Sequence, residues 1–106
     1  MTRWHTSLAG RFAGFPKSQQ LLMAVNELNR ANNLRSNPQE YRNALERALE
    51  LFDLCAMDRR WRPALRELRR GRELVAAAYL ASPPASLDRL IKTFIQLDPD
   101  AYKMLY

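Results

Sequence analysis

The chain has 106 residues, 47% of them hydrophobic and 26% charged, a balance typical of one globular domain and unlike that of a disordered chain. Its single cysteine, Cys55, excludes an internal disulfide and a metal site built from several thiolates. No apolar run approaches the ~20 residues of a membrane-spanning helix. We therefore expect one domain over residues 1–106, without a membrane segment, in a reducing cytoplasmic environment.

The positive charge is concentrated in one stretch. Between residues 59 and 72 seven arginines are accompanied by a single acid, Glu67, so these fourteen residues carry the whole net charge of +6. Such a concentration favours electrostatic contact with phosphates or with an acidic protein, although a solvated helix face can have the same composition.

The first sixteen residues contain no acid and have an amphipathic pattern. Trp4, Leu8, Phe12 and Phe15 fall at i, i+4, i+8 and i+11, which is a helical spacing. We expect residues 1–16 to form an ordered N-terminal arm that packs on the body of the domain or on a second copy.

Two long helices are predicted next. The first begins at residues 16–18 and runs to about Leu34. The second begins at Asn37, a favourable N-cap residue, with Pro38 in the first turn and Glu40 completing a capping box. Its apolar residues recur every three or four positions, which indicates a helix with one buried face. Those residues are Tyr41, Ala44, Leu45, Ala48, Leu49, Phe52, Cys55 and Ala56.

The second half of the chain continues the helical pattern. Residues 58–62 form a polar break, and Pro63 opens a third helix with Leu65, Leu68, Val75 and Tyr79 facing the core and Leu74 beside them. In that helix Ala64, Gly71 and Ala78 lie seven residues apart on the core side. Small residues at this spacing predict that a neighbouring backbone approaches closely.

A linker over residues 82–85 separates the third helix from the fourth. Ser86 is the predicted cap of the fourth helix, and a short fifth helix follows Asp98 and Pro99. No segment alternates apolar and polar residues as a half-buried strand does. The expected fold is therefore all-α, an antiparallel bundle of about four helices with an N-terminal arm and a short C-terminal fifth helix.

The residues that usually perform catalysis are few. His5 is the only histidine and is distant in sequence from Cys55, which lies on an apolar stripe and is expected to be a buried core residue. Glu46, Glu50 and Asp53 share one helix face, but no histidine accompanies them, so a solvated face is favoured over a metal site. We expect no enzyme activity, no cofactor and no metal.

Two surfaces remain as candidate sites. The arginine-rich helix could contact phosphates or an acidic partner, and the terminal aromatic residues could contact a partner or a second copy. Trp61 could stack on a base, but an anchor at the start of its helix is favoured. The candidate electrostatic contacts are Arg59, Arg60, Arg62, Arg66, Arg69 and Arg70. The candidate dimer or partner contacts are Trp4, Phe12, Phe15, Tyr102 and Tyr106.

The function predicted from these surfaces is that of a non-catalytic helical interaction module. It is expected to form a homodimer and to bind another protein. The alternative is a basic nucleic-acid-binding protein that uses residues 59–72.

Overall fold

The computed structural model describes residues 9–98, and every regular element in this range is helical, which confirms the all-α class. Trp4, Tyr102, Tyr106 and the predicted fifth helix after Pro99 lie outside the described residues. The elements are α1 (Ala9–Phe12), α2 (Lys17–Asn33), α3 (Pro38–Ala56), a 3₁₀ helix (Arg59–Ala64), α4 (Leu65–Leu80) and α5 (Asp88–Ile95).

Helix α3 lies at the centre of the packing. It contacts α2 most extensively and α4 next, while α5 lies against both α2 and α4. Its start is as predicted, because Asn37 Oδ1 accepts a hydrogen bond from the Glu40 backbone N–H at 3.3 Å and Pro38 occupies the first turn. Its apolar face is buried against α2 residues such as Leu21, Val25 and Leu28. The regular spacing of that face therefore supplies most of the core.

The predicted break after the second long helix exists, because α3 ends at Ala56 and α4 begins at Leu65, but most of it is helical and Pro63 does not open α4. Asp58 accepts a hydrogen bond from the Arg60 backbone N–H at 2.9 Å, and this cap starts a 3₁₀ helix that includes Pro63. Trp61 is fully buried within it. Because the chain already winds from Arg59, α4 begins at Leu65 as the continuation of a 3₁₀ turn and not at the proline.

A close contact does exist at Gly71, but its partner is a side chain and not a backbone. A Cβ atom added to Gly71 would overlap the ring of Phe94 on α5. That ring is also stacked on Phe52 of α3, with 4.1 Å between ring centroids and 18° between planes. Phe94 thus joins three helices, and only glycine leaves room for its ring on α4.

The start of α5 is held by residues from two parts of the chain. Ser86, the predicted cap, accepts a hydrogen bond at its Oγ from the Asp88 backbone N–H at 3.3 Å. Asn32 of α2 accepts from the Leu87 backbone N–H at 2.9 Å and donates to the Asp88 carboxylate at 2.7 Å. Asn32, an unfavourable residue within its own helix, therefore stabilises the beginning of another.

Candidate functional site

A buried polar cluster joins the N-terminal segment, α2 and the 3₁₀ helix. We call Gln20, Asp58, Arg60 and Trp61 the polar corner. Gln20 is 0% exposed. Its Nε2 donates to the Phe12 carbonyl at 2.9 Å and to Asp58 Oδ2 at 3.1 Å, while its Oε1 accepts from Trp61 Nε1 at 2.9 Å. This one amide connects the N-terminal segment and the 3₁₀ helix to α2, and it supplies the buried acceptor of the Trp61 N–H.

Arg60 completes the polar corner from its outer side. Its Nη2 donates to Asp58 Oδ2 at 2.7 Å and to the carbonyls of Ala13 at 3.1 Å and Phe15 at 2.8 Å. The hydrogen bond from the Arg60 side chain is the largest cause that holds the pKa of Asp58 well below its usual range, against the opposing effect of burial. Arg60 was a candidate phosphate contact, but its guanidinium is committed to acceptors within the chain.

The other candidate arginines differ from Arg60. The side chains of Arg59, Arg62, Arg66, Arg69 and Arg70 are exposed. Within residues 9–98 no acceptor forms a hydrogen bond or ion pair with them. Arg72, at the end of the run, is half-buried. Its Nε lies 3.1 Å from Asp53 Oδ1, and its Nη1 lies 3.8 Å from Glu73 Oε1. The structure therefore separates two engaged arginines from five available ones.

The solvent-facing side of α4 combines these arginines with apolar residues. We define the α4 outer face as Arg66, Arg69, Arg70, Leu74, Ala77 and Leu80. All six are exposed, Leu74 by 51% and Leu80 by 80%. Glu73 is also exposed, near the middle of this face. Basic residues occupy its first half and apolar residues its second.

The placement of Leu74 beside the core is wrong. The buried line of α4 runs through Leu68, Gly71 and Val75. Successive residues of a helix are rotated by about 100°, so Leu74 falls to one side of that line. The Gly71–Phe94 contact fixes which side of α4 faces inwards, and Leu74 is thereby turned towards solvent.

The acidic face of α3 is also less solvated than predicted. Glu46 accepts a hydrogen bond from the Tyr79 hydroxyl at 2.8 Å, and this bond is the main cause that raises the pKa of Tyr79. Asp53 pairs with Arg72, so both acids connect α3 to α4. In the described part of the chain, no three side chains of the His, Cys, Asp or Glu type are grouped so that they could hold a metal ion.

Cys55 is the buried core residue that the sequence predicted. Burial raises the pKa of its thiol to about 12, and the nearby Asp58 carboxylate adds to this effect. A thiol with this pKa stays protonated at neutral pH and is a poor nucleophile.

Two open grooves lie beside these features. One, of about 340 Å³, lies between α3 and α4 and includes Phe52, Leu68 and the Asp53–Arg72 pair. The other, of about 470 Å³, is bordered by Met57 and Arg59 next to the polar corner. Their lining side chains are apolar or charged and include neither a histidine nor a cysteine.

The described terminal aromatic residues face the domain itself. Phe12 is 1% exposed and belongs to the core, while Phe15 is half-buried and meets the Phe12 ring edge-to-face at 6.3 Å. The buried Phe12 side chain leaves no surface for a partner. Its position is fixed because its carbonyl accepts the hydrogen bond from Gln20.

Sequence reasoning missed Gln20, Asn32 and the role of Asp58. One signal was available for Gln20, which lies four residues before the buried Ala24 and so falls on the apolar line of α2. A polar residue at such a position needs a buried partner. Two of its three partners, Asp58 and Trp61, are 38 and 41 residues away in sequence, beyond the range of local pattern.

Comparisons of the chain with protein-family models, with characterised proteins and with solved structures find no match. Among the described residues, no helix combines the length and apolar character needed to cross a membrane.

Proposed function

We propose that this chain is a non-catalytic helical interaction module that binds another protein through the α4 outer face. The proposal includes the antiparallel arrangement of the four longer helices and a cytoplasmic location. The observation that carries it is the exposure of Leu74, Ala77 and Leu80 directly after three arginines without described partners.

This face has the composition of a protein interface. Arginine is enriched at interfaces, and apolar residues at their centres are removed from water when a partner binds. Burial contributes roughly 25 cal/mol for each Å² of apolar surface. A partner that covers the two exposed leucines would therefore gain affinity from buried apolar surface, which contact with the arginines alone would not provide.

The test is site-specific photo-crosslinking in an extract of the source cells. A photo-reactive residue at Ala77, on the α4 outer face, should crosslink a protein. The same residue at Asn26, an exposed position on α2, is the matched control and should not crosslink that protein. Absence of a product from Ala77, or equal yields from both positions, would contradict the proposal.

The predicted homodimer remains part of the proposal, but the α4 outer face is poorly suited to form it. Sedimentation equilibrium of the full chain measures the oligomeric state directly. A dimer whose stability is unaffected by Leu80→Asp would place the dimer contact elsewhere on the surface, and a monomer would contradict this part of the proposal.

Nucleic-acid binding is the second candidate function. The five available arginines favour it, because they could lie along a row of phosphates. Fluorescence anisotropy with random-sequence DNA and RNA tests it. Binding should weaken steeply as salt rises, and changing Arg62, Arg66 and Arg69 together to Gln should flatten that dependence. No binding at low salt would contradict this second function.

A further inference from the structure

The α4 outer face has a direction as well as a composition. Arg66, Arg69 and Arg70 occupy its first half, and Leu74, Ala77 and Leu80 occupy its second half. The whole face extends about 21 Å along the helix axis, at 1.5 Å per residue. Resting on the proposed function, we infer that the partner segment is an amphipathic helix whose acidic residues lie opposite the arginines and whose apolar residues lie opposite the leucines.

Charge complementarity argues for the acidic half. Three neighbouring guanidinium groups lack acceptors among the described residues, and the exposed acids near them on α4 are Glu73 within the face and Glu67 at its edge. Carboxylates placed opposite them would form charge-assisted, bidentate hydrogen bonds of the kind that arginine favours. A neutral or basic partner would leave these charges partly desolvated and unpaired.

The shape of the apolar half argues for a helix. Ala77 lies between two larger side chains, Leu74 and Leu80, and has Ala76 beside it. Small residues flanked by larger ones form a hole on a helix surface, into which a side chain of a second helix can pack. Helix packing would also bury both leucines, which extend from the surface on either side of Ala77.

A second copy of this chain is a poor occupant of the same face. In an antiparallel contact the arginines of each copy would lie against the leucines of the other, and in a parallel contact arginine would oppose arginine. In either arrangement each copy offers the three arginines of the other only Glu73, and Glu67 at the edge of the face, as carboxylates. The face is therefore complementary to a different sequence and not to itself.

Nucleic acid fits only half of the face. A phosphate row would satisfy the arginines, but it would gain nothing from Leu74 and Leu80 and would be repelled by Glu73. A protein helix uses both halves, and for this reason the observations favour it.

Two labelled four-turn peptides of identical composition test this inference with the full chain. In the segregated peptide, glutamates occupy one half of the exposed stripe and leucines the other, whereas in the mixed peptide they alternate. A free peptide can lie in either direction along α4, so one segregated peptide is sufficient. Fluorescence anisotropy should show the segregated peptide binding about tenfold more tightly than the mixed peptide.

Charge reversal identifies the surface that is used. Arg66→Glu with Arg70→Glu should abolish the preference for the segregated peptide, and a lysine version of that peptide should bind this variant. Arg30→Glu with Arg89→Glu makes the same change in net charge at exposed positions on α2 and α5, and it should leave the preference intact. Equal affinity for both peptides, no binding of either, or equal loss in the two variants would overturn the inference.

The crosslinking experiment separates this inference from the proposed function. A protein captured at Ala77 through a segment that is not an acidic amphipathic helix overturns the inference and leaves the proposed function standing. If Ala77 captures no protein, the proposed function is contradicted as well.

Discussion

The polar corner and the α4 outer face draw on the same run of arginines and use them in opposite ways. The Arg60 side chain donates to four acceptor atoms, two on Asp58 and one each on Ala13 and Phe15. Arg66, Arg69 and Arg70 on α4 have none among the described residues. The local density of arginine therefore does not indicate function by itself, because the elements around each guanidinium decide whether it is structural or available.

The contact between Gly71 and the Phe94 ring orients α4, so that the α4 outer face points to solvent. We expect Gly71→Leu to have the largest effect on this packing. The new side chain would meet the Phe94 ring, which is buried and stacked on Phe52, so it could move only by disturbing that stack. We expect a loss of about 3 kcal/mol in the free energy of unfolding, with Gly71→Ala smaller in effect but also destabilising.

Chemical denaturation measures this effect, with Ala77→Leu as the matched control on the exposed side of the same helix. That control should change stability by less than about 0.5 kcal/mol. Stabilities that rise from Gly to Ala to Leu at position 71, as helix propensity alone would order them, would show that the contact with Phe94 is absent.

Gln20→Met would break the polar corner while keeping the approximate shape of the side chain. The Trp61 N–H would lose its buried acceptor, and the Phe12 carbonyl would keep only its hydrogen bond from the Phe15 N–H, so we expect a loss of about 2 kcal/mol in the free energy of unfolding. Gln19→Met changes the exposed neighbour in α2 and should be close to neutral. Equal effects at positions 19 and 20 would mean that the amide network does not stabilise the domain.

Asp58→Asn tests the pairing of Asp58 with Arg60 through the pH dependence of stability. The pKa of Asp58 is depressed in the folded protein, chiefly by the Arg60 hydrogen bond. Its stabilising contribution is therefore complete above the unfolded pKa of about 3.9 and is lost as the pH falls towards the folded pKa. The difference in unfolding free energy between the wild type and Asp58→Asn should shrink from about pH 6 to about pH 3. Denaturant titrations at both pH values measure it, and a constant difference would contradict the pairing of Asp58 with Arg60.

The parts of this structure that follow from nearby residues could be predicted from the sequence. The cap at Asn37, the buried face of α3 and the burial of Cys55 all depend on residues within a few turns of one helix. The small-residue pattern indicated a close contact at Gly71, but no local feature indicated that a ring on α5 would make it.

The division of the arginines could not be predicted in the same way. It depends on hydrogen bonds from Arg60 to Ala13 and Phe15, which are 47 and 45 positions away from it in sequence. Likewise, the exposure of Leu74 depends on how Phe94 orients α4. Both results come from tertiary packing, which periodicity and charge counts do not record.

We propose that neighbouring arginines of this run have separate roles, and a comparison of Arg60→Gln with Arg66→Gln distinguishes those roles. Each variant is measured by its Tm and by the crosslinking yield from a photo-reactive residue at Ala77. Arg60→Gln should lower the Tm, because Asp58 and the carbonyls of Ala13 and Phe15 lose a shared donor, and the yield from the folded protein should be unchanged. Arg66→Gln should lower the yield while changing stability by less than about 0.5 kcal/mol. If Arg66→Gln lowers the Tm as much as Arg60→Gln does, or leaves the yield unchanged, the separation of roles is wrong.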